Sequence, residues 1–278
     1  MESLDWAPGT RAGFVDRPGA RLYFETQGAG PAVVFLHGLG GNHLSWWRQA
    51  PVFAARHRVV TFAARGFAPS TASSLPPDPA DFADDLAALL DRLEIARCAL
   101  VAQSMGGWAA VEFALANPAR VAALVLAATS GTFDVRALDP AAFDAWSVRS
   151  TAARAALRDE GIHPAAGRRL AEADPALHGL YLSIDALAAA GGLEKEALRA
   201  RLKRARPPAD AAKLACPVLL AMGEEDVVFP SFLAPVLARQ IADAREIEFP
   251  RAGHSAYIER AAEFNDAVAG FLHEAGWR

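Results

Sequence analysis

The sequence predicts an α/β protein with a mostly parallel sheet, and three observations carry the prediction. Apolar runs of strand length recur, most clearly at residues 98–102, 121–128 and 217–222. Longer stretches of helical character separate them. The rhythm stops near residue 131 and resumes near 213, leaving between them a segment rich in Ala, Arg and Leu. Runs without polar alternation suit strands covered on both faces, the condition that crossover helices impose on a parallel sheet.

Residues 22–26 and 32–37 read as the first strands. Gly38-Leu39-Gly40-Gly41 turns the chain, and Asn42 can cap a helix running toward Ala54 by accepting an orphan N–H of its first turn. Residues 58–63 form the next strand, followed by a proline-rich loop over 70–79. Phe82, Leu86, Leu89, Leu90 and Leu93 recur at helical spacing, so 81–93 is a helix with one apolar face. After the strand at 98–102, a helix over 104–117 ends before Pro118, whose ring disfavours helical geometry in the preceding residue. Residues 121–128 return to the sheet.

Residues 131–212 carry no strand pattern, and helical stretches at 141–149, 151–158 and 193–206 make them a mostly helical insertion. It divides the core into a first part, 1–130, and a second, 213–278, with strands at 217–222 and 245–249 and helices at 231–240 and 262–274. The basic run Arg201-Leu202-Lys203-Arg204-Ala205-Arg206 is read as a solvated helix end rather than a docking patch, since cations suit the negative end of the helix dipole.

A chain of 278 residues, 53% of them hydrophobic, can bury one large core. A formal net charge of −4 gives no reason to expect nucleic acid or an anionic membrane as partner. No apolar run is long enough to span a bilayer. The opening residues, MESLDWAPGTRAGF, lack the basic and apolar regions of a secretory leader, so the expectation is a cytoplasmic protein acting on a small molecule. Cys98 and Cys216 each open an apolar run and are expected to be buried free thiols.

Four motifs carry chemistry. Ala102-Gln103-Ser104-Met105-Gly106-Gly107 falls between a strand and a helix, where a sharp turn pushes the Ser104 hydroxyl out over the sheet edge. Small neighbours are needed because strand and helix nearly touch, and the helix start aims the Met105 N–H at the reacting centre. In His37-Gly38-Leu39-Gly40-Gly41, the glycines let the Leu39 N–H turn toward the same point; His37 is structural there. Gly223-Glu224-Glu225-Asp226-Val227-Val228-Phe229-Pro230 follows an apolar strand, and of its three acids Asp226 is chosen because Val227 and Val228 would sequester it; Asp134 is the reserve. Arg251-Ala252-Gly253-His254-Ser255 supplies a histidine flanked by small residues, while His43, His57, His163, His178 and His273 are read as incidental.

HGLGG, AQSMGG, GEEDVVFP and AGHSAYIE, in that order, resemble the α/β-hydrolase superfamily over about residues 22–272. The resemblance implies an eight-stranded, mostly parallel sheet flanked by helices, with residues 131–212 as a helical cap entered after the family's sixth strand. It also implies a Ser104–His254–Asp226 triad with Leu39 and Met105 as oxyanion donors, and no metal or organic cofactor. The tail from Gly253 to Glu259, with Glu263-Phe264-Asn265, is similar to carboxylesterases and to hydrolases that cut carbon–carbon bonds in ring-cleavage products. Ala63-Ala64-Arg65-Gly66-Phe67-Ala68 departs from the family's Asp-x-Arg-Gly-x-Gly, and Ala102 replaces the elbow's first glycine. A serine at the elbow argues against the dehalogenases and epoxide hydrolases, which place an aspartate there.

The expected activity is cleavage of a small, largely apolar carboxylic ester in a pocket between sheet and cap lined by Leu39, Met105, Trp108, Phe133, Trp146 and Phe229. Alternatives stay open: a carbon–carbon hydrolase of a vinylogous diketone, with Arg149 or Arg154 holding an acidic dienoate; a non-enzymatic receptor that retains the triad; and, since they use a similar triad, the hydroxynitrile lyases and cofactor-free haloperoxidase-like members of the superfamily.

Overall fold

Val33 and Phe35 pack on one face of their strand and Val34 and Leu36 on the other, and this period of two runs through the whole sheet centre. The computed structural model describes residues 9–278, so the first eight residues of the stretch read for a leader lie outside the described residues. Its strands are β1 (Arg11–Arg17), β2 (Ala20–Gln27), β3 (Ala32–Leu36), β4 (Arg58–Phe62), β5 (Thr71–Ala72), β6 (Cys98–Gln103), β7 (Val121–Ala127), β8 (Val218–Gly223) and β9 (Ala244–Phe249). They form one sheet in the order β1-β2-β4-β3-β6-β7-β8-β9, with the two-residue β5 paired to β2 beside this path. From β4 to β9 every neighbouring pair is parallel; β1, β2 and β5 pair antiparallel.

One face of the sheet offers Val34, Leu36, Leu100, Ala102, Leu124, Leu126, Val218 and Leu220 to helices α2 (Phe82–Arg92) and α3 (Gly106–Ala116). The other offers Val33, Phe35, Ala99, Val101, Val125, Leu219 and Ala221 to Trp46, Phe53 of α1 (Ala50–Phe53), and helices α9 (Ala256–Glu259) and α10 (Ala261–Glu274). Burial on both sides accounts for strands that read as unbroken apolar runs. Cys98 and Cys216 are buried free thiols, and burial raises both, to about 12 and about 11.

Four helices stand between β7 and β8: α4 (Pro140–Asp159), α5 (Gly167–Ala173), α6 (Pro175–Ala188) and α7 (Lys195–Arg201). The stretches expected at 141–149 and 151–158 are one helix, capped by Asp139, which accepts the N–H of Ala142. Among the described residues no helix is long and apolar enough to cross a membrane.

Three expected helices are shorter. Asn42 does cap, accepting the N–H of Leu44, but only a 3-10 turn follows before α1, because Pro51 has no N–H to continue a helix through 54. Residues 231–240 hold a 3-10 turn and α8 (Ala234–Ala238). The last stretch of 193–206 leaves the helix at Arg201 and runs extended, with Arg206 bridged to Phe133.

Candidate active site

β6 ends at Gln103 and α3 starts at Gly106, so the chain reverses within two residues, and Ser104 takes a left-handed φ of 49°. A side-chain-bearing residue there is strained, and the turn holds because its amide donates to the Ala127 carbonyl at 3.0 Å and its carbonyl accepts the Gly107 N–H at 3.0 Å. A Cβ on Gly106 would lie 2.4 Å from the Leu36 carbonyl oxygen, so the helix can start against β3 only with glycine. A Cβ on Gly38 would meet Gln103 Oε1 at 2.1 Å. Gln103 also donates through Nε2 to the His254 carbonyl at 3.2 Å, tying the elbow to the histidine loop.

His37 is structural, as expected. Its Nε2 accepts the Ala64 N–H at 2.9 Å, which makes Nδ1 the protonated nitrogen, and that N–H donates to the Gly38 carbonyl at 2.8 Å. Burial lowers it to about 4. The unusual stretch after β4 keeps Arg65, whose guanidinium pairs with Asp85 at 2.5 Å and Asp81 at 2.6 Å.

The three acids after β8 have separate fates. Glu224 accepts the Arg251 N–H, and Glu225 pairs with Arg169 of α5. Asp226 is turned inward: Oδ1 accepts the N–H groups of Val228 at 2.6 Å and Phe229 at 2.9 Å, and Oδ2 faces His254 Nδ1 at 2.8 Å. Its side chain is fully buried and that of His254 is 4% exposed. A carboxylate on Nδ1 fixes the neutral imidazole with its proton there and leaves Nε2 as the basic nitrogen. Asp134 instead accepts the Arg136 N–H at 3.1 Å.

Ser104 and His254 both line a cavity of about 530 Å³, together with Leu39, Met105 and Trp108. The three other aromatic residues expected in its wall lie elsewhere. Phe133 is fully buried in the core beyond the tight turn at Gly131. Trp146 is half-buried against Phe143, with ring centroids 5.6 Å apart. Phe229 is buried behind the wall, its amide held by Asp226. The wall is also less apolar than expected, since Arg154, Arg158, Lys195, Arg199 and Arg204 take part in it. Arg149 is exposed and lies outside it.

Three features went unread in the sequence. His163, counted as incidental, lines the cavity; its Nδ1 accepts the Ala165 N–H at 3.1 Å, and burial lowers its pKa. Asp185 and Tyr181 of α6 reach the glycine turn itself, where a Cβ on Gly40 would meet Asp185 Oδ1 at 2.9 Å and the Tyr181 hydroxyl at 3.1 Å. Arg204 is the third: read as part of a solvated helix end, it is half-buried with its guanidinium over Trp108.

The chain is 31% identical over 281 residues to the 2-hydroxymuconate semialdehyde hydrolase of a Pseudomonas species, covering 92% of each protein. Among solved structures, a hydrolase from Pseudomonas aeruginosa superposes with a TM-score of 0.76 at 26% identity, over 94% of this chain and 98% of that one. A thermophilic esterase from Thermogutta terrifontis, solved with malate bound, gives 0.74 at 25% identity over 95% and 98%. The family model of the α/β-hydrolase fold matches residues 31–261, and the chain belongs to that family.

Proposed function

We propose that this protein is a serine hydrolase that cleaves a small carboxylic ester through an acyl-enzyme. The observation that carries the reading is the 2.8 Å contact of buried Asp226 with His254 Nδ1, at a cavity whose wall includes Ser104. In this reading His254 Nε2 takes the Ser104 proton as Oγ attacks the ester carbonyl. Asp226 holds the tautomer and offsets the charge that the ring gains. The N–H groups of Leu39 and Met105 receive the oxyanion; removing one such donor typically costs ~2.7–4 kcal/mol of barrier. His254 then protonates the departing alkoxide, and in the second half it activates water against the acyl-enzyme. Residues 131–212 act as a cap, since α4, α6 and α7 all contribute to the cavity wall. A fluorophosphonate probe should label the wild type and fail on Ser104→Ala; labelling that survives the substitution places the nucleophile elsewhere.

A second reading, a carbon–carbon hydrolase of a ring-cleavage product, is supported by Arg154 in the wall and by the relative named for such a reaction. Comparing turnover of p-nitrophenyl acetate with that of a vinylogous diketone acid separates the two.

A further inference from the structure

The charge in the cavity wall is unbalanced. Arg154, Arg158, Lys195, Arg199 and Arg204 face two carboxylates, Asp185 and Glu196. Lys195 Nζ lies 2.6 Å from Asp185 Oδ1, and Arg199 Nε lies 3.7 Å from Glu196 Oε2. Arg154, Arg158 and Arg204 have no ion-pair partner among the described residues, although the chain as a whole is acidic, with a formal charge of −4.

Arg204 is the most constrained of these three. Its guanidinium carbon sits 4.9 Å from the centre of the Trp108 ring and 5.8 Å from that of Phe229. The Trp108 indole N–H donates to the Lys203 carbonyl at 3.1 Å, so the chain just before Arg204 is pinned to the same ring. Its Nε is buried and has no hydrogen-bond partner. Buried guanidinium N–H groups are ordinarily satisfied, and this one is left without a partner inside the protein. Burial lowers Arg204 to about 10, which leaves it charged at neutral pH. Arg154 is also pushed down, first by desolvation and then by the neighbouring Arg199 and Arg158, with Asp226 and Glu196 opposing.

We propose that Arg204, with Arg154 on the same wall, forms an anion subsite, and that the natural substrate carries a carboxylate in addition to the bond attacked by Ser104. The inference names the substrate class of the serine-hydrolase reading and rests on it. A planar guanidinium matches a carboxylate with two parallel N–H···O bonds, and the flanking rings hold the guanidinium plane before the ligand arrives. A neutral ester of the same length would leave the charge unpaired.

The test measures binding without turnover. In Ser104→Ala, calorimetry compares ethyl half-esters of succinate, glutarate and adipate with neutral ethyl esters of matched length. At least one half-ester should bind about tenfold more tightly than its neutral counterpart, and adding Arg204→Gln should reduce that ratio about fivefold or more. Taking the ratio cancels any general loosening of the cavity. If Arg204→Gln fails to fold, Arg154→Gln should lower the same ratio. Equal affinities for charged and neutral esters, or a ratio indifferent to the substitution, would overturn the subsite. Because the serine is absent throughout, failure of the nucleophile assignment shows only in the fluorophosphonate experiment, and the two failures stay distinct.

Discussion

Glu259 receives the N–H of Gly253 with both carboxylate oxygens, at 3.1 Å each, and so ties α9 to the residue before His254. Burial raises this carboxyl to about 7. Between its ordinary value and about 7 the folded protein keeps a proton that the unfolded chain has lost, so the stability that Glu259 contributes falls as pH rises through that window, by up to roughly 3 kcal/mol. Glu259→Gln keeps an oxygen for Gly253 and removes the titration. Thermal denaturation at pH 5 and pH 8 should show the variant gaining on the wild type as pH rises; parallel changes in the two proteins would mean that Glu259 does not titrate there.

His37 and His43 carry the opposite sign. Burial lowers both to about 4, so the unfolded chain binds protons first on acidification, and their contribution is lost as pH falls from about 6.5 through 4. Protonating His37 also breaks its acceptance of the Ala64 N–H. His37→Gln, with an oxygen able to take that N–H, should flatten the acid limb of a stability-against-pH curve measured in urea.

Asp226→Asn preserves shape but presents an amide where His254 Nδ1–H needs an anion. Ester turnover should drop by on the order of 10³–10⁴ in kcat, as for the equivalent change in other triads, with circular dichroism unchanged. A loss below tenfold would remove Asp226 from the proposed mechanism.

Gly106→Ala would place a methyl 2.4 Å from the Leu36 carbonyl oxygen, a backbone atom that cannot swing aside. Overpacking of this kind costs about 1–3 kcal/mol, and here β3 and α3 must separate to admit it. Urea denaturation should report that loss, together with a fall in kcat, because the displaced turn carries Ser104.

Phe133 and Trp108 separate packing from binding. Phe133→Ala should cost about 3–5 kcal/mol of stability, since the ring is fully buried away from the cavity. Trp108→Ala should act mainly on KM for esters, because the ring forms part of the cavity wall and supports Arg204.

The central strands were legible because both of their faces are buried: CALVAQ and VAALVLA have no polar residue inside them before their ends. β1 was not, since RAGFVDR is an edge strand with charges at both ends and, among the described residues, pairs only with β2. α6 was missed because PALHGLYLSIDALA has apolar residues all round, although Asp174-Pro175 is a readable start, the aspartate accepting the Leu177 N–H. Ser104, Asp226 and His254 stood out through local spacing. The wall did not: Phe133 and Phe229 sit close in sequence to the motifs yet are absorbed by the core, while Arg204 and His163 come from the distant helical segment. Local pattern fixes turns and strand ends; which long side chain reaches a cavity depends on packing between segments far apart in sequence.

The Asp185 and Tyr181 side chains rest on Gly40, one residue past Leu39. A shortened protein made by excising α4–α7 and rejoining β7 to β8 would therefore lose a brace on this turn as well as the proposed cap. Grafting this helical segment onto another member of the family carries the converse condition: a side chain in place of this glycine would make the transplanted carboxylate and phenol shift aside.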